Sequence, residues 1–104
     1  MPSFGDPFAS LSIGQKLTKA ELVRTIRFLV SAEYEAIQMY MQVAEAVSDK
    51  LVKTTLIDIA DEERVHAGEF LRLLHYLAPD EQKFYTQGYA EVEAMMKRTK
   101  KQSR

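Results

Sequence analysis

The chain has 104 residues, of which 46% are hydrophobic and 28% charged, so it is long enough for one globular domain and too short for four long helices. It has no cysteine, which excludes disulfides, zinc-thiolate sites, iron-sulfur clusters and thiol nucleophiles. Five basic residues in the last eight positions leave an acidic body, which suits a protein that handles cations. We find no secretory signal and no apolar run long enough for a bilayer, and we expect a cytoplasmic protein.

The chain is predicted to start with an irregular arm, followed by a long helix. Residues 1–17 contain two of the three prolines and two of the four glycines without a sustained hydrophobic period. Thr18 and Glu21 have the spacing of a capping box, which predicts that a helix begins at Thr18. No Gly or Pro interrupts it before about Val47. Its apolar residues recur at helical spacing and form a buried stripe, in which Glu33 is the one acid.

A turn and a second long helix follow. Ser48 and Asp49 are good N-cap residues and poor residues for a helix interior, so the turn is placed there. The second helix is predicted from about Lys50 to Leu77 and ends before Pro79, since proline disfavours a helical conformation in the preceding residue. Its apolar stripe also has helical spacing.

The C-terminal part is predicted to contain a shorter and weaker third helix. We place it at about Asp80 to Arg98, where Gly88 interrupts it and apolar residues are fewer. Residues 18–98 then form one helical domain, and residues 99–104 form a basic flexible tail. A single basic tail of this kind is usually solvated, so we do not expect nucleic acid as a partner.

Three metal-binding side chains are predicted to meet within the hairpin. Glu63 and His66 lie on the second apolar stripe with the i, i+3 spacing of a Glu-x-x-His pair. Glu33 precedes the turn by about sixteen residues and Glu63 follows it by about fourteen, so antiparallel packing puts them at the same height. Two buried acids beside a histidine favour metal binding over a structural polar network, because an uncompensated buried carboxylate costs several kcal/mol.

This ligand set is half of a dinuclear site. A ferritin-like four-helix bundle uses one Glu from each of two helices and a Glu-x-x-His from each of the other two. The hairpin also leaves an apolar seam that the third helix is too short to cover. We therefore predict an all-α fold, in which two antiparallel hairpins pair about a twofold axis into a four-helix bundle. The paired chains would place four carboxylates and two imidazoles around two metals.

Several other polar residues lie near the two apolar stripes, and each has its own interpretation. Tyr40 shares the face of Glu33 two turns further on; it is either a core residue or a group that hydrogen-bonds to a ligand or supplies an electron. Glu35 faces away from that stripe and is expected to be exposed or at another subunit contact. Glu62 and Glu69 are expected to be solvated, with an outer metal position as the alternative. His75 lies on the opposite face from His66 and is not expected to bind metal.

Two segments carry a resemblance to a known family. Residues 31–41, SAEYEAIQMYM, and residues 61–67, DEERVHA, resemble the rubrerythrin and ferritin-like superfamily. One hairpin followed by a short third helix is most similar to the encapsulated ferritins, over about residues 20–96. The resemblance implies a ferroxidase centre made of Glu33, Glu63 and His66 at a subunit interface, in a ring of dimers. It also implies that the protein is the cargo of an encapsulin shell and oxidises ferrous iron inside it.

The sequence departs from the family pattern in two respects. Members of the family carry extra acidic residues near the route by which metal enters. Glu35 matches one of these acids, and the resemblance makes it a candidate metal ligand. Ala32 stands at the position of another, so that acid is missing here. No C-terminal docking peptide for a shell is evident in residues 97–104. Residues 10–14, SLSIG, loosely resemble such a peptide but lie at the other end of the chain.

We therefore expect a ferroxidase that binds two irons between subunits, with Glu33, Glu63, His66 and Tyr40 as the residues of the reaction. The ligand set also accepts manganese or zinc. Two other functions stay open: a diiron peroxide reductase of the rubrerythrin kind, which would need an external electron donor, and a non-catalytic helical adaptor. The predicted partners are further copies of the chain and an encapsulin shell, which would place the protein inside a nanocompartment.

Overall fold

The computed structural model describes residues 16–102, which form two long antiparallel helices and a third helix. The helices are α1 (Lys19–Ala46), α2 (Lys50–Leu77) and α3 (Gln82–Gln102), with a 3-10 turn at Pro79–Glu81 before α3. No strand occurs within this described range. The structure confirms the predicted all-α hairpin. The rest of the predicted N-terminal arm, including SLSIG at 10–14, and the last two basic-tail residues lie outside the described range.

Side-chain caps fix where α1 and α2 begin. The Glu21 amide donates to the Thr18 hydroxyl at 3.1 Å and the Thr18 amide donates to the Glu21 carboxylate at 2.8 Å, which confirms the predicted capping box. The Asp49 carboxylate accepts from the Val52 amide at 3.0 Å at the start of α2. A three-residue turn therefore joins the helices, so they must run antiparallel and side by side.

The third helix is longer than its sequence predicted. It continues without interruption through Gly88 and reaches Gln102, four residues past the expected end at Arg98. Residues 99–102, expected to belong to a flexible tail, are therefore helical. Lys100 and Lys101 lie in the last turn, where positive side chains interact favourably with the negative end of the helix dipole.

Small and branched apolar side chains form the thin core between α1 and α2. All of them belong to the two predicted stripes. The buried residues are Ile26, Val30, Ala44, Ala60, Ala67 and Leu74. One layer of contacts between two helices leaves the opposite faces of both helices open.

Polar contacts set the direction in which α3 leaves the hairpin. Glu81, in the 3-10 turn, accepts from the Arg27 guanidinium of α1 and from the Tyr85 hydroxyl of α3, the latter at 2.5 Å. The Tyr85 ring also lies against His75 of α2, with ring centroids 5.7 Å apart. None of the residues of α3 is buried. The third helix is thus joined to the hairpin at its first turns and extends away from it.

The described chain is too open to be compact by itself. Its radius of gyration is 18.4 Å, whereas a compact domain of about 100 residues has about 13 Å. Large apolar side chains are exposed on every helix, among them Val43, Leu73 and Tyr89. Surfaces of this kind normally contact another molecule. Within residues 16–102, none of the helices has the length and apolar character that crossing a membrane would need.

Candidate metal centre

The hairpin brings Glu33, Glu63 and His66 together, as predicted. One ligand atom from each lies within 4.8 Å of the other two. The His66 Nδ1 atom is 3.3 Å from the Glu63 Oε2 atom and 3.7 Å from the Glu33 Oε1 atom. Glu33 comes from the middle of α1 and the other two from adjacent turns of α2. Residues 16–102 contain no other group of three such side chains at this spacing.

Small residues on α2 explain why the carboxylates converge. Ala60 and Ala67 lie three residues before and four residues after Glu63, on the same face of the helix. Ala60 is 0% exposed and Ala67 is 4% exposed. Side chains of this size let α1 approach α2 closely at this height. Glu33 is then directed at Glu63 across the helix contact instead of into solvent.

Burial and a second carboxylate change the acidity of Glu33. Its side chain is only 16% exposed in the single chain. Desolvation, the hydrogen bond with Glu63 and the negative charge of Glu63 together raise the pKa of Glu33 to about 7. Below about pH 7 the metal-free chain therefore holds a proton on Glu33, which donates to the Glu63 carboxylate.

The pKa values of Glu63 and His66 shift so that their charged forms are favoured. The hydrogen bond from Glu33 lowers the pKa of Glu63, and the neighbouring His66 adds to this effect. The hydrogen bond with Glu63 raises the pKa of His66, with help from the nearby negative charges. Below about pH 7 the metal-free cluster thus contains one proton between two carboxylates, beside an imidazole whose charged form is favoured.

The donor set and one unpaired atom fit a metal ion. Glu33 Oε2 is a buried oxygen with no hydrogen-bond partner in the described chain. Such an atom costs free energy unless a cation or another donor reaches it. Two carboxylates and one imidazole suit divalent iron, manganese or zinc. Three ligands do not complete a coordination sphere, and the His66 side chain is 49% exposed, so the cluster is open on one side.

The remaining candidates lie outside this cluster. Glu35 is half-buried instead of exposed, and its Oε2 is also buried without a hydrogen-bond partner. Tyr40 is half-buried, seven residues after Glu33. Glu62 and Glu69 are exposed, as expected. His75 contacts Tyr85 and does not join the ligands.

Comparison with a solved structure supports the same architecture. The chain is similar to the crystal structure of the encapsulated ferritin domain from Pyrococcus furiosus, with a TM-score of 0.78 and 35% identity. The match covers 86% of this chain and 90% of that one. Because most of both chains is included, the likeness extends to all three helices and is not limited to a generic hairpin.

Two curated proteins are also similar in sequence. One is a ferritin-like-encapsulin shell fusion protein of Pyrococcus furiosus, 38% identical over 75% of this chain and 23% of its own length. The other is the encapsulin nanocompartment cargo protein EncC of Myxococcus xanthus, 38% identical over 73% of this chain and 58% of its own length. The chain thus aligns with less than two thirds of each of these relatives.

The assignment of the chain to a family rests on a match over most of its length. The rubrerythrin family profile matches residues 27–103, which include all three members of the cluster. Together with the similarity to the encapsulated ferritin domain, this match confirms the resemblance that the two sequence segments indicated. The chain belongs to the rubrerythrin family of ferritin-like proteins, with encapsulated ferritins and encapsulin cargo proteins as its relatives.

Proposed function

We propose that the protein is a ferroxidase, which oxidises ferrous iron at a dinuclear site shared between two copies of the chain. The observation that carries this proposal is the cluster of Glu33, Glu63 and His66, open on the side of the half-exposed imidazole. Two such clusters facing each other across a twofold axis supply four carboxylates and two imidazoles, the ligand set of ferritin-like diiron proteins.

The open side of the cluster has the surface that a second copy would cover. Leu73 follows His66 by two turns on the same side of α2, and it is 46% exposed in the single chain. Val43 of α1 is similarly exposed. Pairing through this side would bury these apolar residues and would enclose the half-exposed imidazole. One contact would then complete the metal site and cover the apolar seam.

Each side chain of the cluster has a role in the proposed reaction. The bound iron supplies the electrons, one per ferrous ion, which pass to dioxygen or peroxide. Glu33 and Glu63 hold the substrate ions, and their hard anionic oxygens favour the ferric product. Glu33 gives up its proton when iron binds, because only the carboxylate form offers both oxygens. His66 supplies a neutral nitrogen from each copy.

Stopped-flow oxidation of ferrous iron tests this assignment. We expect Glu33→Ala, Glu63→Ala and His66→Ala each to slow oxidation by at least about 10-fold, since losing even a residue that only orients a metal ligand costs about 10- to 100-fold. Glu45→Ala is the matched control: Glu45 is an exposed acid on α1, about 18 Å further along the helix than Glu33. Parent rates in all three ligand variants would refute the proposal.

The oxidant separates this activity from that of a peroxide reductase. The chain has no cysteine and so cannot itself hold a rubredoxin-type iron site as electron donor. A ferroxidase consumes iron with dioxygen and needs no other donor, whereas a peroxide reductase turns over with peroxide only while a reductant is supplied. We expect iron oxidation under air to proceed without a donor.

We further propose that the protein is cargo of an encapsulin shell, where the oxidised iron would be stored. The support comes from the names of its relatives, one an encapsulin cargo protein and the other a fusion to an encapsulin shell. A hairpin pair of this size has no internal space for a mineral core, so the ferric product must pass to a larger container.

Co-expression with an encapsulin shell protein tests the cargo proposal. We expect the chain to co-sediment with assembled shells and to become protected from added protease. A chain that remains in the supernatant and is digested at the rate of the free protein would contradict the cargo role. It would leave the ferroxidase proposal unaffected.

A further inference from the structure

Glu81 connects the third helix to the hairpin through its carboxylate. Each oxygen has its own donor: Oε1 accepts from the Arg27 guanidinium of α1, and Oε2 accepts from the Tyr85 hydroxyl of α3 at 2.5 Å. Arg27 and Glu81 are 54 residues apart in the sequence, so their pairing fixes a tertiary arrangement and not a local turn. We call Arg27, Glu81 and Tyr85 the α3 latch.

No buried apolar side chain of α3 supports the latch. None of the residues of Gln82–Gln102 is buried, and Tyr89, in the second turn, is 77% exposed. The Arg27 and Glu81 side chains are themselves 45% and 28% exposed. Ion pairs at this exposure are weak, because water competes for both partners and salt screens the charges. The direction of α3 therefore depends on contacts that a change of conditions can open.

The backbone between α2 and α3 contains a residue on which α3 can turn. Ala78 has φ −132° and ψ 66°, a conformation that belongs to neither a helix nor a strand. The ring of Pro79 fixes the next φ angle, so the freedom at this bend lies at Ala78. Domain hinges are commonly a few residues of this kind at the end of an element. A change at Ala78 would turn α3 as a rigid body and leave α2 intact.

An open cleft separates the start of α3 from the hairpin. It has a volume of about 620 Å³. Val30, Leu71 and Leu74 line its hairpin wall, and Phe84 and Tyr89 line its α3 wall. Both walls are apolar, so bringing them together would remove hydrophobic surface from water, which is favourable. The latch thus holds open a space that the hydrophobic effect tends to close.

Gly88 also lines this cleft, and its identity is explained by a second position of α3. A glycine inside a helix is unfavourable relative to alanine. A Cβ added at Gly88 would meet no atom within 4 Å, so the observed arrangement does not require glycine there. A helix that closes against the hairpin does require it, because the missing side chain lets two backbones approach closely.

We propose that α3 is a hinged helix with two positions. In the latched position, which the structure shows, the α3 latch holds the helix away from the hairpin. In the closed position the latch is open, and α3 has turned about Ala78 until Gly88 and Tyr89 pack against Leu71. Leu71 follows His66 by five residues, about 140° around α2, so the closed helix leaves the candidate metal cluster uncovered. The latch thus decides whether the apolar start of α3 faces solvent or is covered by the chain itself.

Distances between two spin labels measure the position of α3. The chain has no cysteine, so Lys53→Cys on α2 and Ala94→Cys on α3 place labels at two chosen, exposed positions. Labelled chains diluted with an excess of unlabelled chains report distances within one chain. Closing folds α3 back along α2 and therefore gives a shorter distance than the latched position. We expect the labelled parent to show mainly the longer distance at low salt.

Glu81→Gln opens the latch. It removes the charge that pairs with Arg27 and weakens the acceptor of Tyr85, so we expect the ratio of short to long distances to rise by about 5- to 30-fold. Asp61→Asn is the matched control, because Asp61 forms an exposed ion pair with Arg64 inside α2, and it should keep the parent ratio. A Glu81→Gln protein with the parent distances, or with a broad spread that has no short component, would overturn the proposal.

Tyr85→Phe opens the latch with less disturbance of the fold. It keeps the ring that lies against His75 and removes only the hydroxyl that donates to Glu81. We expect the same ratio to rise by about fivefold. Added salt should also raise the ratio in the parent, because it screens the pair of Arg27 and Glu81, and should have little effect in Glu81→Gln. A salt response of equal size in both proteins would contradict a latch through this pair.

Gly88→Leu tests the closed position separately from the latch. In the latched position the added Cβ meets open space, whereas in the closed position the new side chain overpacks the contact with α2. Combined with Glu81→Gln, it should return the ratio of short to long distances to near the parent value. Ala90→Leu, about 200° around α3 from Gly88, is the control and should leave the Glu81→Gln ratio unchanged. A Gly88→Leu double variant that closes as readily as Glu81→Gln alone would overturn the proposed packing.

Discussion

Glu33 is the residue whose environment differs most from that of an ordinary surface glutamate. Its carboxyl group lies against Glu63, one of its oxygens is buried without a hydrogen bond, and its pKa is raised to about 7. Below pH 4.5 its contribution to folding is fully present, and this contribution is lost as the pH rises through 7. Above pH 7 the metal-free chain therefore holds two ionised carboxylates in contact, and metal binding relieves this repulsion.

Metal binding should release a proton from Glu33. At pH 6 the group is mostly protonated, so a divalent metal must displace the proton, whereas at pH 8.5 the carboxylate is already ionised. We expect the affinity to rise by about tenfold to 100-fold per pH unit below pH 7, because Glu33 and His66, whose pKa is also raised, must both lose a proton to bind metal. Calorimetry with zinc, in buffers of different ionisation enthalpy, counts the released protons. A count that does not depend on pH would contradict the raised pKa.

The convergence of the three side chains of the cluster could be predicted from the sequence because the signal is local. Glu63 and His66 are one helical turn apart, and equal distances from the turn place Glu33 at their height. Glu35 shows the limit of this reasoning. Helical spacing gives the direction of its Cβ but not the side-chain rotamer or the atoms that surround it, so its buried oxygen could not be predicted.

At the scale of the helices, Ala60 is fully buried where α1 and α2 pack together beside the cluster of Glu33, Glu63 and His66. We expect Ala60→Leu to reduce the free energy of unfolding by about 1–3 kcal/mol, because the extra atoms overpack a fully buried position. It should also weaken metal binding, since Glu33 moves away from Glu63. Denaturant unfolding and metal titration measure the two effects. Ala90→Leu, at an exposed position of α3, is the control. An Ala60→Leu protein that binds metal as tightly as the parent would contradict this role of Ala60.

The capping box should contribute measurably to the stability of α1. We expect Thr18→Ala to lower the free energy of unfolding by about 0.5–2 kcal/mol, because it removes the acceptor of the Glu21 amide. Thr25→Ala serves for comparison: the Thr25 hydroxyl donates to the Glu21 carbonyl, which already belongs to a formed helix. Urea unfolding curves measure both variants. Equal losses would show that the cap has no special role.

The limits of α1 and α2 could be predicted because capping residues, proline and stripe spacing agree there. The length of α3 could not, because Gly88 and the sparse apolar residues favoured an early end. The basic residues in the last turn interact favourably with the helix dipole, and the helix continues through Gly88. Helix propensity alone was therefore a poor guide to this element.

At the scale of the whole molecule, a proposed partner copy explains both the thin core and the open side of the cluster of Glu33, Glu63 and His66. In the described chain, six buried residues and a radius of gyration of 18.4 Å are what the proposed subunit would have, since its apolar surface would be covered by further copies. The sequence predicted the need for a partner because it supplies half of a known ligand set. It did not predict that α3 adds a separate apolar surface, since the exposure of that helix depends on the direction in which it leaves the hairpin.

The most direct test of this account is a crystal structure of the protein grown with ferrous iron, with anomalous scattering measured at the iron edge. We predict two iron ions about 3.5–4 Å apart, one on each side of a twofold axis, bound by Glu33, Glu63 and His66 of both copies. Iron held by one chain alone, or no iron at these three side chains, would contradict a site completed between subunits.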